Sequence, residues 1–335
     1  MTALLADIGG TNTRVALADG PHVRPNSIAK FANAKFASLE PILTRYLSEA
    51  GIGSVEGACV AAAGPVRQGV AEMTNLNWII DHAMLTRATG ARKVAILNDL
   101  QAQGQALGHI APEHLRSVVA APSVPNASML VVGLGTGVNA APVHNTPWGR
   151  MVPPSECGHV SMPIRNELDL RLAHFIETHG AHAHGFAGVE DVLAGRGIEH
   201  LYAFLTQDGG ATQDTDHAQG ATPGGSPITK SSAAIMADLT AGDAVAVQTA
   251  RLYTRLLGSV LGNLALTHLP YGGIFLIGGM SRAMTPHLAA MGLADAICDK
   301  GRFGSFLRAF PVWVVEDDYA ALTGCAAYLA NGGEG

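Results

Sequence analysis

Three short glycine turns each follow an apolar, strand-like run. Gly9-Gly10-Thr11 comes after residues 3–8, Gly133-Leu134-Gly135-Thr136-Gly137 after 128–132, and Gly278-Gly279 after 273–277. Glycine in such a turn lets successive backbone N–H groups close around a phosphate. One turn of this kind is weak evidence, but three, spread over two halves of one chain, point to phosphate binding. Neither Gly-x-x-x-x-Gly-Lys-Ser/Thr nor Gly-x-Gly-x-x-Gly occurs, which argues against a Walker-type loop and a dinucleotide-binding fingerprint.

Carboxylates stand beside these turns. Asp7 directly precedes the first one, where a single carboxylate suits Mg²⁺ that keeps waters and substrate phosphates; the same residue can also serve as a turn-forming aspartate. Thr11 can bond a phosphate or close the turn. Asn98-Asp99 follows the apolar run 93–97, at the carboxyl end of a strand, where ligands collect in open α/β sheets. An aspartate there can take a hydroxyl proton while that hydroxyl attacks a phosphate, and Asn98 offers both a donor and an acceptor. The pair would equally cap a helix over 100–110. Glu156-Cys157-Gly158-His159 and Glu190 are further polar sites; an acid at a helix start, as Glu190 is, is also a favourable dipole contact. His179, His182 and His184 carry no carboxylate or cysteine at a metal-ligand spacing, so a solvated loop is expected there.

The elements that must hold these residues alternate between strand and helix. Strands are expected at 3–8, 14–18, 26–31, 57–63 and 93–97, then at 128–132, 273–277 and 311–315. Helices are expected at 38–50 with Ser38 as N-cap, from Gln101 to Leu107, and at 166–178, 189–206, 231–239, 243–268 and 320–330. Residues 207–227, rich in Gly, Thr and Asp, read as an exposed loop.

A chain of 335 residues exceeds what one core usually serves, which predicts two domains. With 48% apolar and 14% charged residues it can bury a large core. Its net charge of −6, without a Lys/Arg cluster, speaks against nucleic acid as a partner. No apolar run nears a membrane span, and the first residues lack a basic, then apolar, leader; no membrane partner and a cytoplasmic location are expected. Cys59, Cys157, Cys298 and Cys325 are scattered and are expected to be free thiols.

Read together, the motifs resemble the bacterial glucokinase family of the hexokinase–actin superfamily. Asp7-Ile8-Gly9-Gly10-Thr11-Asn12-Thr13-Arg14 is similar to its first phosphate motif. Met73-Thr74-Asn75 with Trp78, Leu97-Asn98-Asp99, Gly135-Thr136-Gly137, Glu156 with Gly158-His159, Glu190 with Gly195, Gly278-Gly279 and Asp299-Lys300-Gly301-Arg302-Phe303 follow in the family's order over about residues 3 to 330. The resemblance implies an α/β fold of two actin-like (ribonuclease H-like) domains with an interdomain cleft. The small domain would hold 1–108, with the C-terminal helix 319–335 packed back onto it, and the large domain 109–318.

The resemblance also implies ATP-dependent phosphorylation of glucose, or a similar hexose, at its 6-hydroxyl, with Mg²⁺ as cofactor and Asp99 as general base. Asn98, Asp99, Glu156, His159 and Glu190 would bind the sugar. Asp7, Ile8, Gly9, Gly10, Thr11 and Asn12 would form the first phosphate loop, with Asp7 near Mg²⁺ through water. Gly135, Thr136 and Gly137 would form the second, with Gly278 and Gly279 at the adenosine end. A homodimer is the implied assembly. The alternatives are a kinase for another hexose and a non-catalytic sugar-binding regulator. The sequence departs from the family at Ser155 and Cys157, which flank the site glutamate where glycines are usual, and at Asn139, where a further glycine is typical.

Overall fold

A computed structural model describes residues 1–73, 76–179, 185–207 and 229–332. Thr74 and Asn75 of the second motif, His182 and His184, the expected loop from 208 to 227 and the last three residues lie outside the described residues. Chain contacts divide the protein into two compact units: Met1–Leu115 with Ala141–Pro154 and Asp317–Gly335, and Arg116–Ala140 with Ser155–Glu316. Among the described residues no helix is long and apolar enough to cross a membrane.

The first unit is built on strands β1 (Thr2–Ile8), β2 (Asn12–Asp19), β3 (His22–Val23), β4 (Ala29–Ala32) and β5 (Gly57–Ala62). A small antiparallel sheet, β6 (Val66–Arg67), β7 (Val70–Glu72) and β8 (Ile79–Ile80), precedes β9 (Lys93–Asn98). The main sheet runs β3-β2-β1-β5-β9, with β4 also on β2. β1 is antiparallel to β2 and parallel to β5, and β5 is parallel to β9.

Side chains alternate across this sheet, and both faces are buried. Leu4, Ala6, Ile8, Ala58, Val60, Ala62 and Ile96 share one core with helices Leu39–Glu49 and His82–Thr89. Ala3, Leu5, Cys59, Ala61, Ala95 and Leu97 share the other with helices Asp99–Ala106 and Ala320–Ala330. Helix Leu39–Glu49 buries Leu39, Ile42, Leu43, Tyr46 and Leu47 as one stripe, each worth about 1.5–3 kcal/mol as an upper figure. Its expected cap, Ser38, makes no side-chain bond, so the stripe is what fixes the helix. Asp81 does cap His82–Thr89, accepting from Met84 N at 2.7 Å, and Gly90 ends that helix in the left-handed region. The expected strand at 26–31 begins instead as a 3-10 turn, Pro25–Ser27, because Ser27 Oγ donates to the Arg24 carbonyl at 2.6 Å.

The second unit carries β10 (Leu115–Val119), β11 (Met129–Leu134), the start of β12 (Val138–Thr146), β14 (Gly273–Ile277) and β15 (Val312–Val315), in the order β10-β15-β14-β11-β12. β11, β14 and β15 are parallel. From Ala141 onward β12 counts with the first unit, where it pairs antiparallel with β13 (Gly149–Met151). Helix Ala244–His268, capped by Asp243, runs through the second core with Tyr253, Leu256, Leu257 and Leu261 fully buried.

The helix expected at 189–206 is broken. It forms Glu190–Leu193 and Gly195–Gln207, with Ala194 extended between them. Two bonds explain the break: the Tyr253 hydroxyl donates to Leu193 O at 2.9 Å, and Gly195 N donates to Gly135 O at 2.8 Å. A continuous helix would use both groups internally. The hairpin of β12 and β13 and helices His82–Thr89, Gly279–Leu288 and Leu293–Cys298 had no expected counterpart. All four cysteines are free, Cys59 and Cys325 fully buried.

Candidate active site

In the first unit the register of three parallel strands gathers the chemistry. Ile8 lies opposite Ala62, and Ala62 opposite Asn98, so the segments leaving β1, β5 and β9 emerge at one carboxyl edge. Asp7, the Gly9–Asn12 turn, Asn98 and Asp99 are therefore brought together there.

The first turn is closed by Gly9 N donating to Asn12 O at 3.0 Å. Its shape is held by Asn33, a buried residue that sequence reasoning missed. Asn33 Nδ2 donates to Gly9 O at 2.7 Å, Asn33 N to Thr11 O at 2.9 Å, and Thr13 Oγ1 donates to Asn33 Oδ1 at 2.8 Å. A lone asparagine in a polar stretch gives no local signal of such a role. Gly10 and Thr11 are left exposed, as a loop that meets a ligand must be.

Asp7 faces Arg14 across the β1–β2 pair, with Arg14 Nη1 donating to Oδ2 at 3.1 Å. Burial raises the Asp7 pKa, and the guanidinium opposes that rise. No described hydrogen bond uses Oδ1. One carboxylate with a free oxygen fits Mg²⁺ that keeps waters and phosphate oxygens, and among the described residues no cluster of three or more His, Cys, Asp or Glu offers an all-protein cage.

Asn98 is the N-cap of helix Asp99–Ala106. Its Oδ1 accepts from Leu100 N at 3.0 Å, Gln101 Oε1 accepts from Asn98 N at 3.1 Å, and Asn98 Nδ2 donates to Gly64 O at 3.0 Å. The capping role is thus present, and the bond to Gly64 ties β9 to the chain leaving β5. Asp99 is the first helical residue; its Oδ1 accepts from Leu100 N at 2.8 Å. Burial, reinforced by the charge of Asp7, pushes its pKa up to about 6, against the Leu100 N–H. The far end of this helix is tied down by Gln101 Nε2 to Val152 O at 2.9 Å, Gln105 Nε2 to Arg150 O at 3.0 Å, and the Arg150 guanidinium on the Gln105 and Leu107 carbonyls.

In the second unit Gly133 lies opposite Ile277, which puts Gly135–Gly137 and Gly278–Gly279 at one carboxyl edge. Gly279 opens helix Gly279–Leu288 and is exposed. Glu190 binds the second glycine turn directly: Oε2 accepts from Val138 N at 2.9 Å, and the space beside Gly137 Cα is filled by that same oxygen. Arg196, unmarked in the sequence reading, pairs with Glu190 Oε1 and lies 3.6 Å from Asp191. Glu190 is therefore engaged at both carboxylate oxygens.

Glu156 and His159 sit on a 3-10 turn, Cys157–His159, with both side chains exposed. Val189 N donates to Val160 O and Met162 N to Ala187 O, each at 2.9 Å, so this turn is joined to the segment that leads into Glu190. Cys157 is half-buried and burial raises its pKa. Gly158 lies flat on β12: a Cβ there would stand 2.0 Å from the Val138 carbonyl oxygen. Gly158→Ala should cost about 2 kcal/mol and raise the sugar KM, read by thermal melting and by steady-state rates; unchanged melting and KM would mean that the turn shifts freely.

Among solved structures the chain is similar to a glucokinase from an Antarctic psychrotroph, with TM-score 0.83 and 29% identity over 98% of this chain and 99% of that one. It also superposes on a glucokinase from Balamuthia mandrillaris, with TM-score 0.75 and 20% identity over 98% and 93%, a likeness of fold. Two α/β units, one with a glycine turn at its sheet edge and the other with two, together with these likenesses, give the fold of the hexokinase–actin class. The Glucokinase family model matches residues 4–332, and the glucokinase of Sinorhizobium medicae is 31% identical over 326 residues, covering 97% of this chain and 91% of that one. The chain belongs to the glucokinase family, and it is an enzyme.

Proposed function

We propose that this enzyme transfers the γ-phosphoryl group of ATP to the 6-hydroxyl of glucose, with Asp99 as general base. The observation that carries the base assignment is the position of Asp99. Its carboxylate is half-buried at the same sheet edge as the first glycine turn, and desolvation raises its pKa to about 6, where it can accept a proton. Glucose and ATP as substrates are supported by relatives. The Balamuthia mandrillaris glucokinase was solved with glucose, and a glucokinase from Streptomyces griseus, 19% identical, with glucose and AMPPNP.

In this reading Asn98, Asp99, Glu156, His159 and Glu190 serve as the sugar-hydroxyl ligands. Carboxylates and amides gripping hydroxyls give selectivity, because a mismatched sugar leaves buried polar groups unpaired. The backbone N–H groups of Gly9–Asn12 and Gly135–Gly137 would cradle phosphates, and Gly278–Gly279 would leave room for the adenosine. Asp7 would hold Mg²⁺ through water; the ion supplies charge neutralisation at the transferring phosphoryl group. Asp99 takes the proton as the hydroxyl oxygen forms its bond to phosphorus, and ADP leaves.

A coupled ADP-release assay with Mg-ATP tests this, run on glucose beside mannose, fructose and N-acetylglucosamine. Turnover on glucose with the highest kcat/KM is expected. A higher kcat/KM on another hexose would replace glucose as substrate. Sugar binding without ADP release from the folded protein would favour a non-catalytic regulator.

A further inference from the structure

The three residues that depart from the family's glycines form one hydrogen-bonded cluster, although 16 to 18 positions separate Asn139 from the other two. Asn139 is the second residue of β12. Its Oδ1 accepts from Ser155 Oγ at 2.9 Å, from Cys157 N at 3.2 Å and from Ala140 N at 2.8 Å. Its Nδ2 donates to the Ser155 carbonyl. The Ser155 hydroxyl also reaches the Ala140 carbonyl, and the Cys157 thiol closes the group against Ser155 and Ala140.

Both neighbours of Glu156 are thus tied to one amide. Ser155 is held through its carbonyl and hydroxyl, Cys157 through its N–H. Glu156 between them has φ −130° and ψ 45°, outside the regular wells, and its side chain remains exposed. A backbone pinned on both sides of an exposed carboxylate is a pre-organised binding group: little freedom is left to lose when a ligand arrives. Glycines at these places would offer no side chain to build such ties.

We propose that Asn139, with Ser155, is a positioning residue of the sugar site: it fixes the main chain of Glu156 and thereby sets affinity for sugar hydroxyls. This rests on the reading of Glu156 as a sugar ligand. The role is specific to the hydroxyl-bearing substrate, so nucleotide affinity stays outside it.

Steady-state kinetics on Asn139→Leu, Ser155→Ala, Ser155→Thr and Glu156→Gln test the proposal, each folded variant checked by thermal melting. Asn139→Leu keeps the branching and the heavy-atom count and removes both the acceptor and the donor. It should raise the sugar KM about tenfold and leave the ATP KM within about twofold. Ser155→Ala should move the sugar KM in the same direction by a smaller factor, and Ser155→Thr, which keeps the hydroxyl, should restore it. Combining Asn139→Leu with Glu156→Gln should give less than the product of the single effects, because a misplaced carboxylate has little left to lose. A sugar KM unmoved by Asn139→Leu, with Glu156→Gln still raising it, would overturn the positioning role and leave Glu156 a ligand. Equal increases in both KM values would also overturn it, as a general structural defect. A sugar KM unmoved by Glu156→Gln would instead remove the underlying reading, and the proposal with it. If Asn139→Leu does not fold, the contrast between Ser155→Ala and Ser155→Thr decides alone; equal KM values for the two overturn the proposal.

Discussion

Asp99→Asn lowers kcat by about 10³-fold while glucose still binds within a few-fold of the wild-type affinity. The amide keeps the shape and the bond from Leu100 N to Oδ1, so helix Asp99–Ala106 stays capped. It also still meets a hydroxyl, but it accepts no proton. In the wild type the carboxyl is held near pKa 6 by burial and by the charge of Asp7. Below that pH the base is protonated, so kcat/KM should fall about tenfold per pH unit going down from 6, and level off above it. The linkage runs the other way for stability. A carboxyl whose folded pKa is raised binds its proton more tightly when folded, so its contribution falls as pH climbs from about 4 to 6. Above pH 6 the buried charge is a cost, and Asp99→Asn should melt no lower than the wild type at neutral pH. A pH profile unchanged in shape, with turnover within tenfold of wild type, would remove Asp99 from the chemistry.

Gly324→Ala should be the most destabilising single-methyl change in the first unit. The last helix, Ala320–Ala330, crosses helix Asp99–Ala106 at that glycine, where a Cβ would stand 1.7 Å from the Ala102 carbonyl oxygen and 3.1 Å from Ala106 N. The obstacle is backbone on both sides, which no rotamer change relieves. Nor can the struck helix move freely: Gly104 already packs on Val143 and Val152, and Gln101, Gln105 and Arg150 tie its turns to the β12–β13 hairpin. The expected loss is about 3 kcal/mol or more, with a fall in Tm of roughly 5–10 °C. Because the displaced helix carries Asp99 at its start, surviving protein should also lose kcat. A Tm within about 2 °C of wild type would show that the crossing is looser than its geometry.

The parts of the fold legible in the sequence were those with local punctuation. Leu4-Leu5-Ala6 before Gly9, Val131-Val132 before Gly133 and Phe275-Leu276-Ile277 before Gly278 announce strands by apolar runs ending in glycine, and all three strands are present, although β11 runs on through Gly133 and Leu134 so that its turn begins at Gly135. The hairpin of β12 and β13 was not legible, since Asn139, Pro142, His144 and Asn145 interrupt any period-two pattern. The break at Ala194 depends on Tyr253 and Gly135, about 60 residues away on either side, and no window holds all three. The same holds for the site. Asp7, Asn98, Asp99 and Glu190 could be singled out because each abuts a strand end or a helix start. Asn33 and Arg150 could not, because their roles are bonds to distant segments, and Arg196 could not, because the break at Ala194 is what turns it back onto Glu190 and Asp191. The substitutions at Asn139, Ser155 and Cys157 were visible as departures, but that they answer one another required coordinates.

The two sheets share a strand order when read from their first strands: β3-β2-β1-β5-β9 and β13-β12-β11-β14-β15. That is the mark of an internally duplicated architecture, and it makes the two glycine turns copies of one another. Aligning Gly9 with Gly135 sets Asp7 against Gly133. The copies have therefore specialised. One kept or gained an acid at its base, together with Arg14 to restrain it, and can approach a cation-bearing ligand. Its twin has no acid at that point; the carboxylate that meets the second turn, Glu190, comes from a distant segment and accepts from Val138 N. Two identical turns would carry the same residue two positions before each; here Asp7 stands before the first and Gly133 before the second, so the two strand ends differ by one carboxylate.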